Sequence, residues 1–239
     1  MLKIIRKFIN FGYNKSMETK DYTEKINKNY LPSSIMLRER TIGLLNTLKE
    51  YSLWTYEHSI DVANTAISIA KHLYANKTLK LTQEQVSELY TSALLHDIGK
   101  LHISKDILNH KGPLSLEEKR TMRGHVKETQ EILKDNGFPK EIIEVACSHH
   151  QRLNGSGYGT VATRPEDART INKNPLKQIL ATADVWDAMR ENRPYKKALD
   201  DNKAIEEIYE MVKNHELDAT PVNAVVTLQG KTNNHGRVA

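Results

Sequence analysis

An apolar helical stripe in this chain runs straight into a carboxylate. Val86, Leu89, Tyr90, Ala93 and Leu94 recur at helical spacing, and Asp97 continues that inward stripe one turn beyond Ala93. A carboxylate aimed into a core costs several kcal/mol unless a partner compensates it. His96 stands beside it, and the partner that imidazole and carboxylate jointly suggest is a divalent metal.

The same pattern recurs along the sequence. His58 precedes Val62 and Ala66 by one and two helical turns. His125 falls at helical offsets from Met122, Thr129 and Ile132, and Asp184 lies one turn past Leu180. His149 follows Ile142 and Ala146, and His150 follows Ile143 and Ala146, in a helix expected to run from Pro139 through His150. Each of these groups is expected on the inward face of a helix, near one end of its apolar stripe. Any one alone reads as a hydrogen-bonded core histidine or a helix cap. Together, five inward histidines and two inward carboxylates leave many buried donors and acceptors in need of partners, and one metal centre satisfies them all.

Such a ligand set exceeds the four of a tetrahedral zinc site. Mixed imidazole and carboxylate ligands suit two octahedral divalent ions, iron or manganese. Asp97 can bridge such ions, and a water between them becomes hydroxide near neutral pH, a nucleophile for in-line attack on phosphorus. His72, His110, His215 and His235 lie in polar contexts and stay outside this set. His102 follows in a loop and at most supports it.

Helical periodicity covers nearly the whole chain, so the expected class is all-α. Helices are expected over 35–50, 55–75, 82–97, 115–135, 139–150, 176–191 and 201–213. Thr82 with Gln85, and Ser115 with Glu118, read as capping boxes, and Asn136-Gly137 reads as a helix stop. The main loop, 151–175, holds Gly155, Gly157, Gly159, Pro165 and Pro175. Only 222–228 is β-branched enough to argue for a strand. The expected division is a basic amphipathic helix and linker over 1–32, one domain over 33–229, and a flexible tail over 230–239.

At 239 residues the chain can bury a full-sized core. A formal charge of +5 fits an anionic ligand such as a nucleotide. Aromatics do not interleave with any basic run, which argues against a nucleic acid polymer as partner. The single cysteine, Cys147, excludes an intrachain disulfide and suggests a reducing, cytoplasmic setting; its apolar neighbours mark it as core filler. No apolar run approaches the ~18 residues of a membrane span. In residues 1–13, Leu2, Ile4, Ile5, Phe8, Ile9 and Phe11 alternate with Lys3, Arg6 and Lys7, which breaks any signal-peptide core. Packing of that stretch on its own domain is the expectation, and peripheral contact with an anionic membrane is the alternative.

These residues resemble a known family. His96-Asp97, with His58 upstream and His125 and Asp184 downstream, is similar to the HD superfamily of metal-dependent phosphohydrolases. The run His96-Asp97-Ile98-Gly99-Lys100, the pair His149-His150, then Asn154-Gly155-Ser156-Gly157-Tyr158 and Arg193-Pro194-Tyr195-Lys196 resemble its HD-GYP branch, the cyclic di-GMP phosphodiesterases. The resemblance extends from about Ser52 to Val226. It implies an HD-type helical bundle with metal ligands His58, His96, Asp97, His125, His149, His150 and Asp184. It also implies that Lys100 contacts a substrate phosphate and that Arg193 and Lys196 grip the dinucleotide, a planar fork and a point charge respectively.

The chain departs from the family pattern at Gln151, where Glu is usual, at Asn154 in place of Asp, and at Gly159 in place of Pro. Trp54 occupies the position where some members carry an extra Glu for a third metal, so two metals are expected. No sensory domain is expected ahead of the catalytic one.

The leading functional expectation is hydrolysis of a cyclic dinucleotide, cyclic di-GMP foremost, to pGpG or GMP through a metal-bridged hydroxide, with Asp97 and Lys100 as catalytic residues. One alternative keeps the chemistry and changes the nucleotide. The other is a metal-holding, catalytically weak domain that binds the dinucleotide, or a signalling-protein partner through the 151–175 loop.

Overall fold

The computed structural model describes residues 26–159, 174–191 and 198–235, with side chains described as far as Gly230. The basic stretch 1–13, Arg193, Lys196 and most of the 151–175 loop lie outside the described residues. Among the described residues every regular element is helical.

The helices are α1 (Ile35–Tyr51), α2 (Leu53–Ala75), α3 (Gln83–Leu95), α4 (Lys105–Leu108), α5 (Leu116–Arg123), α6 (His125–Asp135), α7 (Lys140–Ala146), α8 (Pro175–Arg190), α9 (Asp201–Lys213) and α10 (Ala219–His235). Short 3-10 turns form at Lys28–Tyr30 and Ile98–His102. Helix starts follow local chemistry. The Ser34, Ser52 and Asp200 side chains accept from backbone N–H groups one turn on, and both expected capping boxes form, Thr82 with Gln85 and Ser115 with Glu118. Asn174 caps α8 and Pro175 fills its first turn, where a missing N–H costs nothing.

Helix α2 is the axis of the bundle, packed against α1, α3, α8 and α10. Ile60, Val62, Ala63, Ala66, Ile67, Ile69, Ala70 and Leu73 are all buried, so its apolar surface wraps most of its circumference. The β-branched stretch 222–228 lies within α10, where Val222 and Val225 pack inward. That helix continues to His235, past the point where a tail was expected.

The expected linker before α1 also packs. Ile26 and Leu31 are buried, the Asn27 N–H donates to the Tyr90 hydroxyl at 2.9 Å, and Tyr30 meets Tyr90 edge-on.

Two expected helices are shorter than their periodicity suggests. The 115–135 pattern divides at Gly124, and the 139–150 pattern stops at Ala146. In both places side chains take the carbonyls that a continuing helix would need. His125 Nδ1 donates to Met122 O at 2.6 Å; Ser148 Oγ and His149 Nδ1 donate to Val145 O and Ala146 O, both at 2.7 Å. The histidine pair therefore stands on a turn.

Candidate metal centre

The structure brings His58, His96, Asp97, His125, His149, His150 and Asp184 into one cluster. Only His58 and Asp184 come from helix interiors, α2 and α8. His96 caps the end of α3, Asp97 follows it in a turn, His125 opens α6, and His149-His150 follow α7. The expectation that all came from inward helix faces is corrected accordingly. Helix ends deliver most of these groups, because a terminus frees the backbone to turn a polar side chain inward.

Three of the histidines are held by one device. His96, His125 and His149 each direct Nδ1 at the carbonyl three residues earlier, Ala93, Met122 and Ala146, at 2.6–2.7 Å. A carbonyl only accepts, so each Nδ1 carries a proton and each ring turns Nε2 into the cluster. These Nε2 atoms converge. His125 Nε2 and His149 Nε2 are 3.3 Å apart, two lone pairs facing each other, and His96 Nε2 is buried without a hydrogen-bond partner. Asp97 Oδ1 is buried in the same condition, 3.3 Å from His125 Nε2. Facing lone pairs in a buried site repel; a cation among them removes the repulsion. This donor set fits a metal.

Asp97 divides the cluster. Its Oδ1 faces His125 and His149, at 3.3 and 3.9 Å. Its Oδ2 faces His96 and His58, at 3.3 and 3.8 Å, and accepts from Lys100 Nζ at 2.6 Å. The ligand atoms of His58, His96 and Asp184 lie within 4.8 Å of one another, as do those of His125, His149 and His150; His96, Asp97 and His149 form a third such group between them, and His58, Asp187 and Glu191 a fourth.

Burial works against charge on Asp97, but Lys100 and His96 outweigh it and hold the carboxyl well below the usual range. Asp184 is likewise held low, its burial overcome by the hydrogen bond from His58 and by His150. Burial, reinforced by His96, pushes His149 down to about 3. Burial also lowers His125 and, with His149 adjacent, His150. Both carboxylates are thus ionised and these imidazoles neutral, the states in which such groups ligate metal.

His58 behaves differently. Burial opposes its charge, yet hydrogen bonds with Asp184 and Asp187 dominate and raise it to about 9. Its Nε2 faces Asp184 Oδ1 at 3.2 Å, while Nδ1 meets Asp187 Oδ2 at 2.6 Å, with Glu191 Oε2 at 3.7 Å. Asp187 and Glu191 were missed in the sequence. Their signal was there: 184 and 187 share one face of α8, and Glu191 caps its end.

Backbone closeness fixes the arrangement. A Cβ on Gly99 would lie 2.0 Å from His125 O and 2.5 Å from Thr129 N, so only glycine lets the Ile98–His102 turn reach α6. Thr129 Oγ1 joins the segments, accepting from Gly99 N and donating to His96 O, both at 3.0 Å.

Around the cluster, Trp54 stacks parallel on His58 with centroids 5.7 Å apart, and Lys100 Nζ lies 5.5 Å from the Trp54 ring. Tyr158 lies against His150, the rings tilted by 32° with centroids 4.4 Å apart, and has the Arg123 guanidinium 5.2 Å from its own centroid. The departures at 151 and 159 form one packing change. The Gln151 side chain occupies the space beside Gly159, where a Cβ would lie 2.5 Å from its Nε2. Asn154 uses both ends of its amide, accepting from Ser156 N and donating to Asn214 O, and an aspartate could not donate.

The sequence matches the HD domain family over residues 46–220, so the chain belongs to that family. This agrees with the resemblance its motifs carry. Among its relatives is the 3'3'-cGAMP-specific phosphodiesterase 1 of Vibrio cholerae, 30% identical over 183 residues, which are 77% of this chain and 40% of that protein. The cyclic di-GMP phosphodiesterase of Thermotoga maritima is 34% identical over 170 residues, 70% of this chain and 43% of that protein. This chain thus spans about two fifths of the length of these curated relatives.

The crystal structure of the L. monocytogenes phosphodiesterase PgpH HD domain in complex with cyclic-di-AMP superposes with a TM-score of 0.55 at 18% identity. It covers 82% of this chain and 97% of that one, a likeness of fold. HD-domain phosphohydrolases are metal-dependent, and the buried His/Asp cluster is where this chain would hold metal. Among the described residues no helix is long and apolar enough to cross a membrane.

Proposed function

We propose that this chain is a metal-dependent phosphodiesterase that hydrolyses a cyclic dinucleotide, cyclic di-GMP foremost, to pGpG or GMP. The observation that carries the reading is Asp97, whose two oxygens face two separate imidazole groups. In this reading His58, His96 and Asp184 hold one divalent ion, His125, His149 and His150 hold a second, and Asp97 serves both. Imidazole and carboxylate ligands together favour iron or manganese. Ions there would supply Lewis acidity toward phosphorus–oxygen bonds and acidify a water.

The chain's own groups set the stage. Asp187 fixes the His58 ring through Nδ1. The Lys100 ammonium has three donors and commits one to Asp97 Oδ2, leaving the others for a substrate phosphate. Arg193 and Lys196 are assigned to the dinucleotide on their motif alone, and the 151–175 loop is assigned to a signalling partner on its composition alone. The domain is assigned to 33–229 in this reading. A cytoplasmic setting belongs to the same proposal, supported by the lone buried thiol, Cys147.

A specific observation favours testing a second nucleotide: relatives are named for 3'3'-cGAMP as well as for cyclic di-GMP. The test is metal content together with turnover of cyclic di-GMP, 3'3'-cGAMP and cyclic di-AMP by freshly purified, reduced protein and by Asp97→Ala. The expected result is bound metal and turnover in the parent and loss of both in the variant, with helicity retained. Near-normal activity of Asp97→Ala overturns the reading.

A further inference from the structure

A cyclic dinucleotide carries two phosphodiester charges, and attack at one leaves the other to be neutralised elsewhere. Lys100 belongs to the half of the cluster built around His58 and His96. The other half, around His125, His149 and His150, has its own cation. Arg123 ends α5 two residues before His125, and its guanidinium lies over the Tyr158 ring, which in turn lies tilted against His150. The Tyr158 ring also meets His125 edge-on, with centroids 6.4 Å apart. The Tyr158 N–H donates to His150 O at 3.1 Å, so the ring is anchored to the residue it covers.

We propose that Arg123, laid on Tyr158, is a second phosphate-binding residue that receives the dinucleotide phosphate remote from Lys100. The proposal rests on the phosphodiesterase reading above. Three features support it. Arg123 is exposed, and among the described residues its one recorded contact is with the Tyr158 ring. A guanidinium held over a ring face spends no N–H donor on it, which leaves the donors for an anion such as a phosphate. Finally, the contact with Tyr158 restrains the guanidinium next to the ring that lies against His150 before substrate arrives, which lowers the ordering cost of binding.

The experiment compares wild type, Arg123→Ala and Arg123→Lys in three measurements: metal content, steady-state kinetics with cyclic di-GMP, and equilibrium binding of a phosphorothioate analogue of cyclic di-GMP. Arg123→Ala should keep its metal, raise KM and the analogue's Kd roughly ten- to a hundredfold, and reduce kcat less than it raises KM. Arg123→Lys should lie between, because it keeps the charge and loses the fork. Unchanged KM and analogue Kd in Arg123→Ala overturn the proposal, as does loss of metal, which would make Arg123 a structural residue. If wild type binds the analogue without turning over cyclic di-GMP, the phosphodiesterase reading fails while weaker binding by Arg123→Ala still upholds this one. If wild type neither binds nor hydrolyses, both fall.

Discussion

Replacing Gly99 with alanine tests the geometry that brings Asp97 to the imidazoles. An ideal Cβ there falls 2.0 Å from His125 O, 2.5 Å from Thr129 N and 2.8 Å from Thr129 Oγ1. The two nearest atoms are main chain, so no rotamer change relieves the clash and the Ile98–His102 turn must move away from α6. Overpacking of this kind costs about 1–3 kcal/mol. Movement also strains the bonds from Gly99 N to Thr129 Oγ1 and from Thr129 Oγ1 to His96 O, and each buried group left unpaired costs about 1–3 kcal/mol more. With one such group lost, the total is about 2–6 kcal/mol, against a typical domain stability of about 5–15 kcal/mol.

Urea unfolding followed by far-UV circular dichroism measures the loss, and metal analysis of the folded fraction measures the displaced site. Gly43→Ala is the control. That residue lies inside α1 with nothing within 4 Å of its Cβ position, so alanine should stabilise by about 0.5–1 kcal/mol. A Gly99→Ala protein within about 0.5 kcal/mol of wild type, with full metal content, refutes the reasoning.

Asp187→Asn should weaken metal affinity by roughly ten- to a hundredfold without removing a ligand, because it loosens the His58 ring; chelator competition measures this, and unchanged affinity would detach Asp187 from the site. The metal-free protein should be most stable near neutrality. His149, lowered to about 3, stays neutral in the fold while the unfolded chain takes up a proton below about pH 6.5, so stability falls as pH drops through that window. His58, raised to about 9, holds a proton that the unfolded chain has lost, so stability falls again as pH rises from about 6.5 through 9. Thermal melts in chelator across pH 4–10 should show both limbs, and His58→Gln should flatten the alkaline one.

The all-helical class and the clustering of these His and Asp residues were legible because burial and polarity conflict openly in the sequence. His58 and Asp184 each continue an apolar stripe, and that conflict has few resolutions. The helix ends at Gly124 and Ala146 were not legible, because periodicity records which residues face inward and not which carbonyls a side chain will take. Asp187 escaped notice for a related reason: a carboxylate three residues past another on an amphipathic helix looks like solvated surface until His58 arrives from α2. Gly99 read as part of a motif, yet its necessity lies in a crossing with Thr129, thirty residues away, that no local pattern encodes.

The shared bond from Nδ1 to the carbonyl three residues back in His96, His125 and His149 bears on kinetics. Rings held at both the tautomer and the torsion level need no rearrangement to receive an ion, so little reorganisation energy stands between the empty and loaded cluster. Metal uptake should then be limited by access to the buried cluster, and release by breaking ligand bonds. Slow exchange of a bound ion would then reflect its ligand bonds rather than any rearrangement of the rings.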